Sequence, residues 1–363
     1  MPLLTRSVGV AVDLAGCPNR CRHCYLGSAA GARLDPSALR WIAELFSGLK
    51  TPGQSVPYFD RIDVASWFRE PDYSDDYKEL YELEAELSGR TPRRYELLSA
   101  WRLARDPDYA PWAREHGPRT CQLTFFGLEE VNDAFHRRRG AFQDNLAATE
   151  RLLDAGMIPR WQIILVQPGQ PDLPALVRLA EERRLRERVA DLGAEFDLFC
   201  HPPWPGGEAW GIEDLRIEQA DLALIPDELM AATRKHFDGR LDWETEAALA
   251  ERVLDGGLLP AQVPHETWFL VNPNYDVFSN YGEVTPAWRL GNLMRHRLGA
   301  ILETFETDAT PGLWASFHVP DAELAERFAR RGSTRLYSPA DLKARWVHLH
   351  CEARARPGCE PEL

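Results

Sequence analysis

Cys17, Cys21 and Cys24 lie in the stretch DLAGCPNRCRHCYLG, residues 13–27, so three thiols fall inside eight residues in a C-x3-C-x2-C spacing. Thiolates are ligands for soft metals, either zinc or iron–sulfur clusters. A structural zinc site is closed by four ligands, commonly in paired spacings such as C-x2-C. The fourth donor on offer here is His23, which sits between two of the cysteines and would crowd the same ion. Packing alone does not require three thiols on one short loop that also carries Gly16, Pro18 and Gly27. Three thiolates on a [4Fe–4S] cluster, by contrast, leave one iron open to a small molecule.

With this spacing directly after the first strand-like run, the chain resembles the radical S-adenosylmethionine (radical SAM) enzymes. The resemblance implies one [4Fe–4S] cluster on Cys17, Cys21 and Cys24, whose open iron chelates S-adenosylmethionine (SAM). Reductive cleavage then gives methionine and a 5′-deoxyadenosyl radical that takes a hydrogen atom from substrate. In the family the residue before the third cysteine is commonly aromatic and lies near the adenine; that place holds His23. A Gly-Gly-Glu-Pro-like segment follows the second strand, its acid receiving the SAM ammonium. SWFREPDY offers Glu70 and Pro71 there, with Phe68 and Arg69 in place of the glycines.

TFFGLEEVNDAFHRRRGAF resembles a further segment of those family members that carry a SPASM or twitch C-terminal extension. Thr124 takes the place of a serine that meets the cofactor, Asp133 that of an aspartate, and Arg139 with Gly140 that of an Arg-Gly pair. Arg139 is expected to fork onto the SAM carboxylate, with Arg137 and Arg138 at the surface or a helix start. FLVNPNYDVFSNYGEVTPAWRLGNLM resembles the start of the extension. Ser279 and Asn280 stand where relatives with auxiliary clusters place a cysteine, and only Cys351 and Cys359 remain downstream. One cluster is therefore expected.

Cys200 ends the run EFDLFC and shares an alternating face with Phe196 and Leu198. At a strand end it is a candidate donor of a hydrogen atom to a substrate radical, against the alternative of a small buried hydrophobe. Cys121 opens its strand and is the poorer candidate. Trp67, Trp101, Trp204 and Trp210 are candidate pocket walls, and His201 and Glu208 candidate polar contacts.

The elements that must position these residues follow an alternating pattern. Strand-like runs at 7–14, 61–66, 94–101, 121–127, 160–166 and 195–200 are separated by helical stretches, which argues for parallel βαβ units. Six units suggest an α/β fold of the partial (β/α)6 barrel kind, with active residues at the C-terminal strand ends. The expected division is a barrel core at 1–215, a helical connector at 216–264, and a smaller α+β extension from 265 to 363. The extension opens on a β-hairpin turning at Asn272-Pro273-Asn274, forming a lid or wall over the barrel mouth.

The chain has 363 residues, 44% of them hydrophobic, with 56 acidic against 42 basic side chains and a formal net charge of −14. That balance argues against a non-specific nucleic-acid binder. Its sparse, odd number of cysteines does not suit a secreted disulfide scaffold. With no signal peptide or membrane span, a cytoplasmic protein is expected. Sixteen residues precede Cys17, too few for a leader-binding domain, which tilts the substrate toward a small polar molecule such as a sugar, nucleoside or amino-acid derivative. A ribosomal peptide is the alternative, and an external flavodoxin or ferredoxin the expected electron donor. An electron-transfer protein and a zinc-binding module are the competing classes.

Overall fold

The computed structural model describes residues 6–27, 33–51, 53–94 and 96–355. Its strands are β1 Ser7–Val12, β2 Arg61–Ala65, β3 Thr120–Phe125, β4 Ile158–Ile164, β5 Asp197–His201, β6 Glu244–Thr245, β7 Thr267–Val271, β8 Asp276–Ser279, β9 Gly291–Asn292 and β10 Leu336–Tyr337. The helices up to β5 are α1 Pro36–Ser47, α2 Tyr77–Ser88, α3 Ala100–Arg105, α4 Tyr109–Glu115, α5 Glu129–His136, α6 Ala141–Asp154, α7 Leu173–Glu182 and α8 Leu185–Asp191. Those beyond it are α9 Asp227–His236, α10 Glu246–Leu254, α11 Leu298–Glu306, α12 Pro311–His318, α13 Asp321–Phe328 and α14 Pro339–Ala355.

The strands form a mixed sheet β2-β1-β7-β8-β9, a separate sheet β3-β4-β5, and a short β6–β10 pair. β1 is parallel to β2 and β7, and β3, β4 and β5 are parallel throughout. In β1, Val8, Val10 and Val12 alternate against Gly9 and Ala11, so the branched side chains enter the helix-facing core and the small ones face the other way. α1 is held at its start by Asp35, which accepts from the Ser37 and Ala38 backbone N–H groups. It buries Ala38, Leu39, Ile42, Ala43 and Phe46. α6 ends just before Gly156, whose φ of 69° takes the chain out of the helix. The helical stretch between the runs at 160–166 and 195–200 is two helices: Arg184, at φ 54°, breaks it between α7 and α8. Its basic run faces acids, with Arg183 and Arg188 on Glu150 and Arg186 on Glu228.

Among the described residues of the run at 94–101 there is no strand, and the strands described form two sheets without closure between them. The outer edge of β2 is already occupied: Val64 N–H donates to Ser88 Oγ at 2.9 Å and Ser66 N–H to Glu84 Oε1 at 2.7 Å. Arg94 is buried between Glu84 and Asp72. Ser99 Oγ accepts from the Arg102 N–H and starts α3, turning the end of the run into helix. The segment does touch β3, where Gln122 N–H donates to the Glu96 carbonyl at 2.8 Å.

The expected hairpin is β7–β8, with Asn272 Oδ1 accepting from Asn274 and Asp276 N–H in its turn. It is a wall and not a lid, because β7 extends the sheet beside β1. Gly9 makes that possible: a Cβ there would lie 2.1 Å from the Trp268 indole. Packing crosses the divisions expected at 215 and 264. α9 lies on β5, and one core joins β1 and α1 to β7 and to helices α11–α14. Among the described residues, no helix is long and apolar enough to cross a membrane.

Candidate active site

Loops from three strand ends converge on the cysteine loop that follows β1. From the β2 end, Arg69 donates Nε–H to the Gly27 carbonyl at 3.0 Å and an Nη2–H to the Leu26 carbonyl at 3.2 Å. Its other arm pairs with Asp13. From the β3 end, the last carbonyls of α5 accept loop amides, Arg22 N–H to Phe135 O at 2.8 Å and Arg20 N–H to His136 O at 3.2 Å. From the β5 end, Glu208 N–H donates to the Cys24 carbonyl at 3.0 Å. Gly207, at φ 53°, allows that approach, since a Cβ would sit 2.5 Å from the Cys24 carbonyl oxygen.

Cys17, Cys21 and Cys24 are free and half-buried. Burial pushes all three thiols up, the charge of Glu70 adding to the effect at Cys17. As bare thiols they are neutral, and a cationic metal centre is what would hold them as thiolates. Among the described residues, no three His, Cys, Asp or Glu groups are drawn together around a single ion. Cluster thiols need only reach different irons, so the donor set fits an iron–sulfur cluster.

Glu70 stands beside them. Cys17 Sγ–H points at Glu70 Oε2 at 3.6 Å, and Ser99 Oγ–H donates to Oε1 at 2.7 Å. Burial raises its carboxyl pKa against these bonds. His23 packs its ring 4.9 Å from Phe126, and burial first, then His136 and His201, hold it down at about 3. It is a neutral ring in an apolar setting, with Nδ1 buried and without a hydrogen-bond partner.

The faces of β3, β4 and β5 turned away from their helices carry a polar row. Gln162 Oε1 accepts from Gln122 Nε2 at 2.8 Å and from Thr124 Oγ1 at 3.0 Å, and Gln162 Nε2 meets His201 Nε2 at 2.5 Å. His201 Nδ1 faces the Pro202 carbonyl at 2.6 Å, which puts its proton on Nδ1 and makes Nε2 the acceptor. Burial holds this imidazole neutral, at about 4.

Two expected roles change. Cys200 points to the other face: fully buried among the helix-side residues, with Sγ 3.3 Å from Thr233 Oγ1 of α9 and its thiol pushed up to about 12 by burial. The alternation with Phe196 and Leu198 is real, but that face is the core, so Cys200 is a packing residue. Arg139 is exposed. Arg138 is the one that faces the loop, with Nε–H to Asn19 Oδ1 and an Nη1–H to Asp144 Oδ2, both at 2.5 Å. Asp133 accepts from the Gly140 and Phe142 N–H groups and so caps α6.

The remaining candidates separate as follows. Cys121 and Cys351 are buried; Cys359 lies outside the described residues. Asn280 closes the hairpin, accepting from Trp268 N–H and donating to the Glu266 carbonyl, both at 2.9 Å. Glu208 pairs with Arg137 at 3.1 Å. Trp101 stands edge-on to Tyr73. Trp210 stacks on His348 at 4.3 Å, and its indole N–H donates to Glu283 at 2.9 Å. Trp67 lines a cleft of about 570 Å³ between β1, β2 and β7; Trp204 lines an adjoining one of about 310 Å³. Tyr25, Pro264 and Asn280 are common to both. Sequence reasoning passed over Arg69 and Gln162, and it placed Arg138 at the surface or a helix start, where the structure instead turns it onto Asn19 of the cysteine loop. Only Gln162 left a signal, a lone amide inside the apolar run RWQIILV.

Neither the family models nor the curated proteins contain a match to this sequence. Among solved structures the chain is similar to anSMEcpe with bound AdoMet, at 13% identity over 96% of this chain and 93% of that one, with a TM-score of 0.53. It is similar too to anSMEcpe with AdoMet and the Cp18Cys peptide, at 14% identity over 96% and 97%, with a TM-score of 0.51. Streptococcus suis SuiB bound to S-adenosylmethionine matches at 14% identity over 88% and 70%, with a TM-score of 0.43, and adds no argument. These neighbours are radical SAM enzymes, and the fold of this chain is theirs. The resemblance carried by the cysteine loop is thus matched at the level of fold.

Proposed function

We propose that the chain is a radical SAM enzyme holding one [4Fe–4S] cluster on Cys17, Cys21 and Cys24, with SAM bound between Glu70 and the Thr124 row. The observation that carries this reading is the convergence of loops from three strand ends on the loop of three free thiols beside a carboxylate. When bound, the cluster supplies the electron for reductive cleavage of SAM, whose 5′ carbon then takes a hydrogen atom from substrate. An external flavodoxin- or ferredoxin-like protein is the proposed donor of that electron.

Glu70 receives the SAM ammonium; a cation beside it would favour the ionised carboxylate that burial opposes. Thr124, whose hydroxyl proton is given to Gln162, offers its lone pairs to the cofactor. Arg138, and not the exposed Arg139, supplies positive charge to the Glu70 and Cys21 side of the site. His23 presents its neutral ring to the adenine.

The two adjoining clefts favour the peptide alternative over a small polar molecule, because together they offer room on both sides of Tyr25. The peptide bound in one anSMEcpe structure is consistent with that reading. Anaerobic reconstitution tests the enzyme class: about four irons per chain and dithionite-dependent formation of 5′-deoxyadenosine are expected, both abolished by the triple Cys→Ala variant. A zinc-only protein, or a cluster that never cleaves SAM, would overturn it.

A further inference from the structure

We infer that the cleft between β1, β2 and β7 receives an uncharged hydrocarbon side chain of the substrate, aliphatic or aromatic. This rests on the reading that substrate is presented beside the cysteine loop. The cleft, about 570 Å³, has walls of Ala11, Ala65, Trp67, Leu97, Trp268 and Leu270. Its width is set by small residues. Ala11 and Ala65 stand in register on β1 and β2, and Gly9 lets the Trp268 indole lie against β1.

The guanidinium and carboxylate lining the cleft, Arg93 and Glu266, pair with each other, and the exposed His265 is a further titratable side chain of the lining. Asn280 at the rim spends its amide on the Trp268 N–H and the Glu266 carbonyl. Against these apolar walls a carboxylate or ammonium would lose water, whereas hydrocarbon gains by leaving water. Tyr25 and Leu26, which directly follow Cys24, form the end of the cleft nearest the thiols. The adjoining cavity beyond Tyr25 is also largely apolar but adds Gln262, Glu283, Ser316 and Lys343 to its lining, and suits the main chain that carries such a side chain.

Probe binding to the reconstituted full-length protein tests this, using fluorine NMR of N-acetyl-4-fluorophenylalanine amide with competition by the N-acetyl amides of leucine and aspartate. The phenyl and leucyl probes should bind at least about tenfold more tightly than the aspartyl probe. Ala65→Phe, which fills the cleft, should weaken the phenyl probe by about tenfold. Leu97→Lys, at a half-exposed wall position where folding is not at stake, should turn the preference toward the aspartyl probe. Equal binding of charged and apolar probes, no binding of the phenyl probe, or a Leu97→Lys preference unchanged from wild type would each overturn the inference. Formation of 5′-deoxyadenosine is measured in the same samples: selective binding without SAM cleavage sinks the enzyme reading alone, and cleavage with unselective binding sinks this inference alone.

Discussion

Gln162→Leu breaks three hydrogen bonds at the centre of the polar row. Gln162 accepts from Gln122 and Thr124 and donates to His201, at 2.8, 3.0 and 2.5 Å. Leucine nearly matches glutamine in volume, so no large cavity follows and the cost is that of stranded polar atoms. His201 is buried, its Nδ1 is tied to Pro202, and its Nε2 is left with nothing; an unpaired buried acceptor costs about 1–3 kcal/mol. Gln122 and Thr124 are half-buried and can turn to water, adding roughly 0.5 kcal/mol each. The loss should be about 2–3 kcal/mol, read from the guanidinium midpoint of the cluster-free chain by circular dichroism. Gln162→Glu is the informative companion. Its carboxylate keeps both donors but has no N–H for His201, so the imidazole can bond to it and keep its Nδ1–H bond to Pro202 only by taking up a proton. His201 should then titrate well above the value of about 4 that burial imposes in the wild type, seen by nitrogen-15 NMR of the imidazole. A leucine variant within about 0.5 kcal/mol of wild type, together with an unmoved His201 titration in the glutamate variant, would refute the account of the row.

Arg69→Gly, which restores the small residue of the resembled motif, strips three bonds from the cysteine loop and leaves Asp13 buried without its partner. Iron retained after reconstitution and gel filtration should fall several-fold, with a stability loss of about 3 kcal/mol or more. Cys200→Ala should keep wild-type rates of 5′-deoxyadenosine formation while losing about 1 kcal/mol in denaturation, since its sulfur touches Thr233 in the core. Burial lowers His136 and His201 to about 4, so folding favours their neutral forms. That stability is complete above the unfolded value near 6.5 and is lost as pH falls from there toward 4. From pH 7 to 5 each should forfeit about 2 kcal/mol; buried Glu84 and Asp72, whose carboxyls are raised, act oppositely. The difference between wild type and His201→Gln in that window isolates the histidine term, and a difference independent of pH would remove it.

The metal-site candidates were legible in the sequence because their information is local. Three thiols within eight residues define a donor set wherever the loop sits, and the hairpin and the helices α1 and α6 follow from short-range pattern and capping. Alternation on EFDLFC correctly grouped Phe196, Leu198 and Cys200, yet period-two pattern cannot say which face is the core when both faces are buried. Packing against α9 decided it, and moved Cys200 away from the chemistry. In the same way RYELLSAW has strand composition, but the β2 edge it would have joined is taken by Ser88 and Glu84 from α2. Arg137, Arg138 and Arg139 are three identical side chains in a row. Only the left-handed turn at Arg137, where α5 ends, and the turn into α6 decide that the middle one faces the cysteine loop. The sequence by itself determined which groups are present and at what spacing. Direction and partnership came from the tertiary structure, because a side chain's role depends on what other elements have already taken the hydrogen bonds and the space around it.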